Sequence, residues 1–521
     1  MVDKKDKTIC IHIFRRDYRL EDNTTLIEAC KTHDIVLPIF IFTKTQIDKK
    51  INSYRSDNCV QFLCESLKDL DTQIQKTSNN KTNKSTLTIF YADDKKDGKT
   101  TNNDEYGILE TLIKTIPNVK TISFNIDYTY YSKIRDEKIK KLCDSHSIKC
   151  LSLDDICLNP IGTVVTASGK PYSKFTPFWK ASASKEIKKI VNNKYDNYYA
   201  HNDNRQNSIN TIIKHALQKL NKTILSIDDI MKPNGLIMGP INTHLPEQGG
   251  RENGLHILQH IKQWNDYNDD RDMLSYKTTH LSPFNKFGCV SIREVYWAML
   301  NKLGKDGEFG LIRQLFWRDF FYNLSYYYPE AVYKESGLNP KYRNIKWPSD
   351  KTSMVKFTKW CKGETGYPIV DACMRELNTT GYMHNRGRLI TANFLCRLLH
   401  IDWKLGEKYF ASNLYDYDPA QNNFGWQVSG ANSSGTTSRP LSQTIMNPWI
   451  QSAKHDTDAL YIKKWCPELE KVKASHLHKW YDYYKNYDLG SETQKVNYYP
   501  PMIDYTIEKD KNLQMYKKYL E

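Results

Sequence analysis

TICIHIFRRDYRLEDNTTLIEACKTHDIVLPIFIF, residues 8–42, decides the first half of the fold. Its two ends, 8–14 (TICIHIF) and 35–42 (IVLPIFIF), are short apolar runs rich in Ile and Phe. Such runs mark strands buried on both faces. Between them, 24–32 carries a helical pattern. Strand, helix and strand in so short a span predict parallel strands joined by a crossover. The pattern continues with strands at 86–91 (TLTIFY), 121–125 (TISFN) and 150–153, and with helices at 57–74 and 107–115. The expected fold of 1–165 is an α/β N-terminal domain, a Rossmann-like parallel sheet with helices on both faces. No GxGxxG follows the first strand, so an ordinary dinucleotide site there has no support.

The alternation weakens over 166–225. GKPYSKFTPFWKA (169–181) and NNKYDNYYAHNDNRQN (192–207) read as an interdomain connector with some helix, and 75–104 reads as loops around the third strand. Beyond 225 no further strand is predicted. Helical periodicity runs through 251–264, 291–302, 308–326, 353–362, 368–378, 387–399 and 504–519, so 226–521 is expected to be an all-α C-terminal domain. No internal repeat is visible.

Composition narrows the function classes. The 521 residues suit two domains, and 35 Tyr with 11 Trp exclude a disordered chain. No apolar run approaches the roughly 18 residues of a membrane-crossing helix, and charge returns too early for a signal peptide. Twelve Cys without a CxxC pair argue against a disulfide framework or a zinc ribbon and suit a reducing, intracellular compartment, nucleus or cytoplasm. Lys+Arg 75 against Asp+Glu 60 gives +15. That excess fits a nucleic-acid binder, and fits equally a chain whose solvated faces are rich in Lys.

The chemistry gathers in TGYPIVDACMRELNTTGYMHNRGRLITANFL (365–395), IDWKLGEKYF (401–410) and DYDPAQNNFGW (416–426). Asn385, Arg386 and Arg388 open a helical stretch, which can hold phosphate or be a solvated turn. Asp416 and Asp418 precede Asn422 and Asn423. No His or Cys spacing supports a metal there, and helix capping is the plainer reading. Trp347, Trp360, Trp403 and Trp426 form a spaced series. Such a series is ordinarily core, and it can also carry an electron, since indoles oxidise readily.

These stretches, together with FRRDYRLEDNTTL (14–26), FNIDYTYYSKIRDEKI (124–139), THLSPFNKFGCVSIREVY (279–296), LFWRDFFYNL (315–324) and NPWIQSAKHDTDALYIKKWCPEL (447–469), resemble the photolyase/cryptochrome flavoproteins over nearly the whole chain. The resemblance is greatest to the class I cyclobutane pyrimidine dimer photolyases. It implies an N-terminal antenna domain and a helical C-terminal domain holding FAD.

Residue by residue, the resemblance implies a cofactor cradle of Tyr267 and Thr278, Thr279, His280, Leu281 and Ser282, with hydroxyls and N–H groups toward the pyrophosphate. Asn422 matches the amide beside flavin N5, Asp416 the acid near the flavin, Arg388 its partner, and Asp418 a ribose or flavin contact. Trp426, Trp403 and an outer Trp form the electron chain. Trp347 matches the outer member with a three-residue offset, and Trp360 is the alternative. Trp317 and Tyr382 match the lesion wall, Gln314 and Asn385 its amides, and Arg271 and Arg386 the phosphate-binding rim.

The function implied is light-dependent repair of cyclobutane pyrimidine dimers in UV-damaged DNA, by a monomer with no membrane association. The alternatives are a (6-4) photolyase and a cryptochrome-like photoreceptor without repair activity. Asn385 and Leu389 stand where (6-4) enzymes carry a His pair, which removes the acid that repair needs. Gln314 stands where cyclobutane enzymes carry Glu, Tyr382 and Val428 stand where they carry Trp, and the 429–446 loop differs, with Gln443 at a position usually Arg. The chain ends in what resembles the family's final helix, so no signalling tail is expected. A second, antenna chromophore (folate or deazaflavin, with a second flavin or none also open) is expected near the N-terminal domain, where Asn125 falls in a segment contacted by folate in relatives.

Overall fold

The computed structural model describes residues 7–77, 84–93, 104–200, 209–304, 310–333, 337–430, 441–488 and 496–520. Most of the 429–446 loop, part of the 75–104 stretch and the end of the Asn-rich connector lie outside them.

Six strands form one sheet: β1 (Ile9–Ile13), β2 (Ile35–Thr43), β3 (Thr88–Ala92), β4 (Val119–Asn125), β5 (Lys149–Leu153) and β6 (Ile224–Leu225). Their order is β5-β4-β1-β2-β3-β6. β1 runs parallel to β2 and β4, β2 to β3, and β4 to β5. All nine residues of β2 are buried, as the unbroken apolar run predicts. The five predicted strands are present. The sheet departs from the wholly parallel expectation only at β6, which pairs antiparallel with β3 and comes from the stretch read as connector. Two residues supply too little pattern to read.

Helices Thr24–Thr32, Asp57–Thr77, Glu105–Thr115 and Tyr130–Ser145 connect the parallel strands. The chain moves from β1 outward through β2 and β3, then returns to the other side of β1 for β4 and β5. Such a reversal opens a crevice beyond the carboxyl ends of β1 and β4, where open α/β sheets bind ligands.

From Arg251 onward the described elements are all helical. Ser291 caps Ile292–Leu303 in a reciprocal box with Glu294, Asp350 caps Lys351–Lys362, and Pro368–Thr380 begins on its proline and stops at left-handed Gly381. The stretch 387–399, read as one helix, is a helix Asn385–Asn393 followed by a π-turn Phe394–Leu398. Helices Trp403–Asn413 and Pro419–Ser429 were not singled out in the sequence.

Buried ions join the sheet to the helices. Arg293 donates Nε to Asp22 at 2.7 Å and Nη2 to Asp155 at 2.8 Å. Arg19 donates to Asp155 and, from Nη1, to the Gly288 carbonyl at 3.1 Å. All four charged side chains are at least nine-tenths buried. Gly288 holds φ +63°, and a Cβ there would lie 2.2 Å from the Arg16 carbonyl oxygen, so the seam needs a glycine at this point.

Removing one partner of a buried ion set leaves the others uncompensated. Arg293→Met is therefore expected to cost ~3–5 kcal/mol in urea unfolding at pH 7. A loss under ~1 kcal/mol, the worth of an exposed pair, would rule out this role. Burial works to raise the Asp155 carboxyl, but Arg19 and Arg293 outweigh it and hold it far below the usual range. Its contribution is thus full above about pH 4 and is lost as pH falls, so the gap between parent and variant is expected to narrow on acidification.

Candidate functional site

Three separated segments meet in the helical region: the turn 278–282, the stretch 382–388 and the run 416–426. His280 takes the left-handed conformation, φ +50°, and its ring lies 4.5 Å from that of Tyr382. Thr278 Oγ1 and Tyr382 Oη are 2.9 Å apart. Ser282 Oγ donates to Asp416 Oδ2 at 2.7 Å, and Arg388 Nη2 donates to the same oxygen at 2.9 Å. Thr279 accepts from the Leu281 N–H, Leu281 is core, and Tyr267 stands half-buried at the start of the short helix Tyr267–Asp270. Burial opposes the charge on Arg388, yet Asp416 beside it keeps its pKa raised.

Several buried polar atoms here have no hydrogen-bond partner: His280 Nδ1, His384 Nε2, Arg386 Nε and Tyr415 Oη. Buried donors and acceptors left unmet by protein are costly. They come from the first two segments and from Tyr415 just before the third, with Glu247 3.5 Å from His280 Nδ1, and the phosphates, hydroxyls and ring edges of a nucleotide supply the chemistry they lack. The residues present therefore fit FAD.

Asp418 stands elsewhere in the network. Oδ1 caps Pro419–Ser429 by accepting from the Ala420 and Gln421 N–H groups at 3.0 and 3.2 Å. Oδ2 accepts from Arg16, at the end of β1, and from Tyr322. Burial would raise this carboxyl, but Arg16 and Lys286 hold it far below the usual range. Asp418 thus ties the helix that carries Asn422 and Trp426 to the sheet. One turn in, Asn422 donates Nδ2 to Glu407 Oε1 at 2.8 Å and to the Glu407 carbonyl at 3.0 Å.

The tryptophans share one core cluster with Trp347 packed against it. A Cβ on Gly406 would lie 2.2 Å from the Trp426 ring, so the glycine, one turn beyond Trp403, lets that ring sit on its helix. Trp360 is fully buried, 6.1 Å from Trp426 ring to ring, and stacks on Phe410. Half-buried Trp347 meets Tyr516 edge-on at 6.4 Å.

On the side expected to hold the lesion, Trp317 stacks on Phe175 at 3.6 Å and 8°. Gln314 and Trp317 lie one turn apart on Leu311–Tyr327, and Gln314 donates to the Gly310 carbonyl. Exposed Asn385 starts its helix. Arg386 pairs with Asp272 at 2.6 Å, and Arg271 is half-buried nearby in sequence.

A cavity of about 610 Å³ opens where the strand order reverses, between the sheet and the helical region. Arg15, Arg16, Arg55, Arg135 and Lys286 line it, with Phe40, Tyr54 and Tyr417 among its rings. Buried Arg15 Nε and Nη2, Arg55 Nε and Arg135 Nη2 have no hydrogen-bond partner. Asn125 does not reach into it with a spare group: its amide donates to Asp17 and Asn23 and accepts from the Thr25 N–H.

Sequence reading missed Glu407, Arg16 and this arginine set. Two arginines directly after an apolar strand were a visible signal for Arg16. A buried Glu inside an otherwise amphipathic helix gives none.

The family described as FAD binding domain of DNA photolyase matches residues 311–518, and that described as DNA photolyase matches 10–193. A deoxyribodipyrimidine photo-lyase of Alkalihalophilus pseudofirmus is 31% identical over 97% of each chain. The crystal structure of an archaeal photolyase from Sulfolobus tokodaii with two FAD molecules superposes with TM-score 0.75 at 32% identity, covering 98% of this chain and 100% of that one. A bacterial class III photolyase from Agrobacterium tumefaciens gives 0.76 at 25%, covering 100% and 99%.

Burial pulls the His384 pKa down to about 4. Between about pH 6.5 and that value the unfolded chain binds a proton the folded chain refuses, so this residue makes stability fall as pH drops. Burial lifts Glu376 to about 7, which gives the opposite slope. The difference between parent and variant isolates the histidine. His384 Nδ1 caps its helix, and Asn caps as well. His384→Asn is expected to remove part of the acid-side slope in urea unfolding. Parallel curves from pH 7 to 4 would contradict the assignment.

Proposed function

This chain belongs to the DNA photolyase family and carries its FAD-binding domain, and from that premise we propose that it repairs cyclobutane pyrimidine dimers in DNA under light, as a class I enzyme does. The observation that carries the reading is the convergence of 278–282, 382–388 and 416–426 on unmet buried polar atoms beside the Arg388–Asp416–Ser282 chain. Tyr267, Thr278, Thr279, His280, Leu281, Ser282, Arg388, Asp416 and Asn422 would hold the cofactor. Bound there, FAD supplies a light-excited electron donor.

The chain's own residues do the rest. A dimer inside a duplex is out of reach and must leave the stack. Trp317, rigidified by Phe175, offers an aromatic face to the extruded bases, with Tyr382 as the second wall. Gln314 and Asn385 offer amides to pyrimidine carbonyls. Arg271 and Arg386 contact phosphates at the rim, Arg386 by leaving Asp272, so binding weakens with salt. Asp418 serves through the helix it caps. Trp426 and Trp403 relay electrons inward from an outer donor. Half-exposed Trp347 suits that place better than fully buried Trp360, because an outer donor must exchange charge and protons with solvent.

Asn385 and Leu389, in place of a His pair, favour cyclobutane dimers over (6-4) lesions, and Gln314 is the feature that keeps the (6-4) reading alive. The arginine-lined cavity is the proposed seat of a second, anionic chromophore. The Sulfolobus relative with two FAD molecules supports the second flavin among the chromophores left open.

Illuminated, reduced protein is expected to restore oligonucleotides bearing a cyclobutane dimer and to leave (6-4) lesions intact. Loss of the (6-4) lesion alone would establish the alternative, and two intact lesions would refute repair. Trp403→Phe is expected to slow photoreduction at least tenfold while chemically reduced enzyme still repairs, with equal losses in both assays excluding the relay. Arg15→Gln with Arg135→Gln is expected to abolish any non-FAD absorbance carried through purification and to leave FAD content unchanged, whereas unaltered chromophore content would exclude the cavity.

A further inference from the structure

We propose that Arg313 is a further DNA-contacting residue, holding a backbone phosphate that enters the site together with the extruded dimer. The inference rests on the reading of Trp317 as the lesion wall, and it adds a group that distinguishes damaged from undamaged DNA. Arg313 is the third residue of the helix Leu311–Tyr327, beside Gln314 and one turn before Trp317. Its guanidinium carbon lies 4.7 Å from the centre of the Trp179 ring and 5.4 Å from that of Phe175. Phe175 is the ring that stacks on Trp317, so one shared phenyl group links the guanidinium to the proposed lesion wall.

The donors of this guanidinium are unspent. Arg318, on the same helix, gives its Nη groups to the Ile156 and Asn285 carbonyls and lies beside Asp319. Arg313 has no such partner among the described residues, and its Nε is buried without a hydrogen bond. Its contacts with Phe175 and Trp179 engage the positive charge and leave the N–H groups unused. The residue is only half-buried, so a ligand can reach it from solvent. From Ile156 to Lys185 the chain carries no acidic residue, while Lys170, Lys174 and Lys180, on either side of Phe175, are exposed. A local field of that sign draws an anion. Phosphate is the anion that a planar fork of donors matches. An intact duplex keeps its phosphates outside a guanidinium drawn back against two rings. An extruded dimer carries its own phosphates inward with the bases. Arg313 thus contacts damaged DNA and leaves undamaged duplex untouched.

The test is binding of the holoprotein in the dark to labelled duplexes with and without a cyclobutane dimer, by fluorescence anisotropy across a salt series. Arg313→Gln is expected to weaken binding of the dimer-bearing duplex about tenfold, the order of one charged hydrogen bond. The slope of log affinity against log salt is expected to become shallower by ~0.9, one phosphate contact. Affinity for the undamaged duplex is expected to hold within about twofold. Arg313→Lys keeps the charge and is expected to recover most of the slope. A slope unchanged by Arg313→Gln, or equal losses on both duplexes, would overturn the proposal while leaving the lesion reading intact. A loss that tracks lowered thermal unfolding and FAD content, and that Arg313→Lys does not recover, would assign Arg313 to the packing of Phe175 and Trp179 instead. If the parent protein itself shows no preference for the dimer-bearing duplex, the lesion reading fails and the role of Arg313 falls with it.

Discussion

The molecule depends on charges buried where its two halves meet. Arg19, Asp22 and Asp155 come from loops at the carboxyl edge of the sheet, and Arg293 from the first turn of a helix, 271 residues after Asp22 and 138 after Asp155. Each is too buried for water to solvate it, so each needs the others. Apolar packing across the seam would tolerate small slides, because it is nondirectional. A lattice of aspartates and guanidinium groups does not, since every shift breaks hydrogen bonds that nothing replaces. This fixes the orientation of the helical half against the sheet, and with it everything built on both.

The Arg16–Asp418 pair extends the same logic into the site. Arg16 lines the cavity beyond the sheet, and Asp418 caps the helix that bears Asn422 and Trp426. Glu407 and Tyr417 also line that cavity. The wall of that cavity is therefore made partly of residues that hold the helix Pro419–Ser429 in place.

The aromatic residues stabilise the helical half, and the relay proposed for them would rest on the same packing. Trp360, Phe410 and Trp426 form a close-packed group in which Gly406 is the space left for an indole. A buried ring with several contacts has few orientations, so the spacing of these rings is fixed by the packing that stabilises the core. Trp317 gains the same rigidity from Phe175, which opens the helix Phe175–Ala183 in a stretch whose sequence reads as connector with some helix.

The sequence by itself determined the elements and the family. Apolar runs made β1 to β5 legible, since a strand buried on both faces must be apolar throughout, and 3.6-residue periodicity made most of the long helices legible. The ordered motifs between 279 and 426 gave the cofactor class and the residues to look for. What only the tertiary structure decided was partnership. That Asp418 faces Arg16, that Glu407 grips Asn422, that Asn125 is consumed by Asp17 and Asn23, and that four arginines face one cavity are contacts between residues up to 402 positions apart. Local pattern reports which face of an element is buried, because that is set by neighbours three or four residues away. It carries no record of which buried charge will answer another, because that choice is made only when distant segments close around the same space.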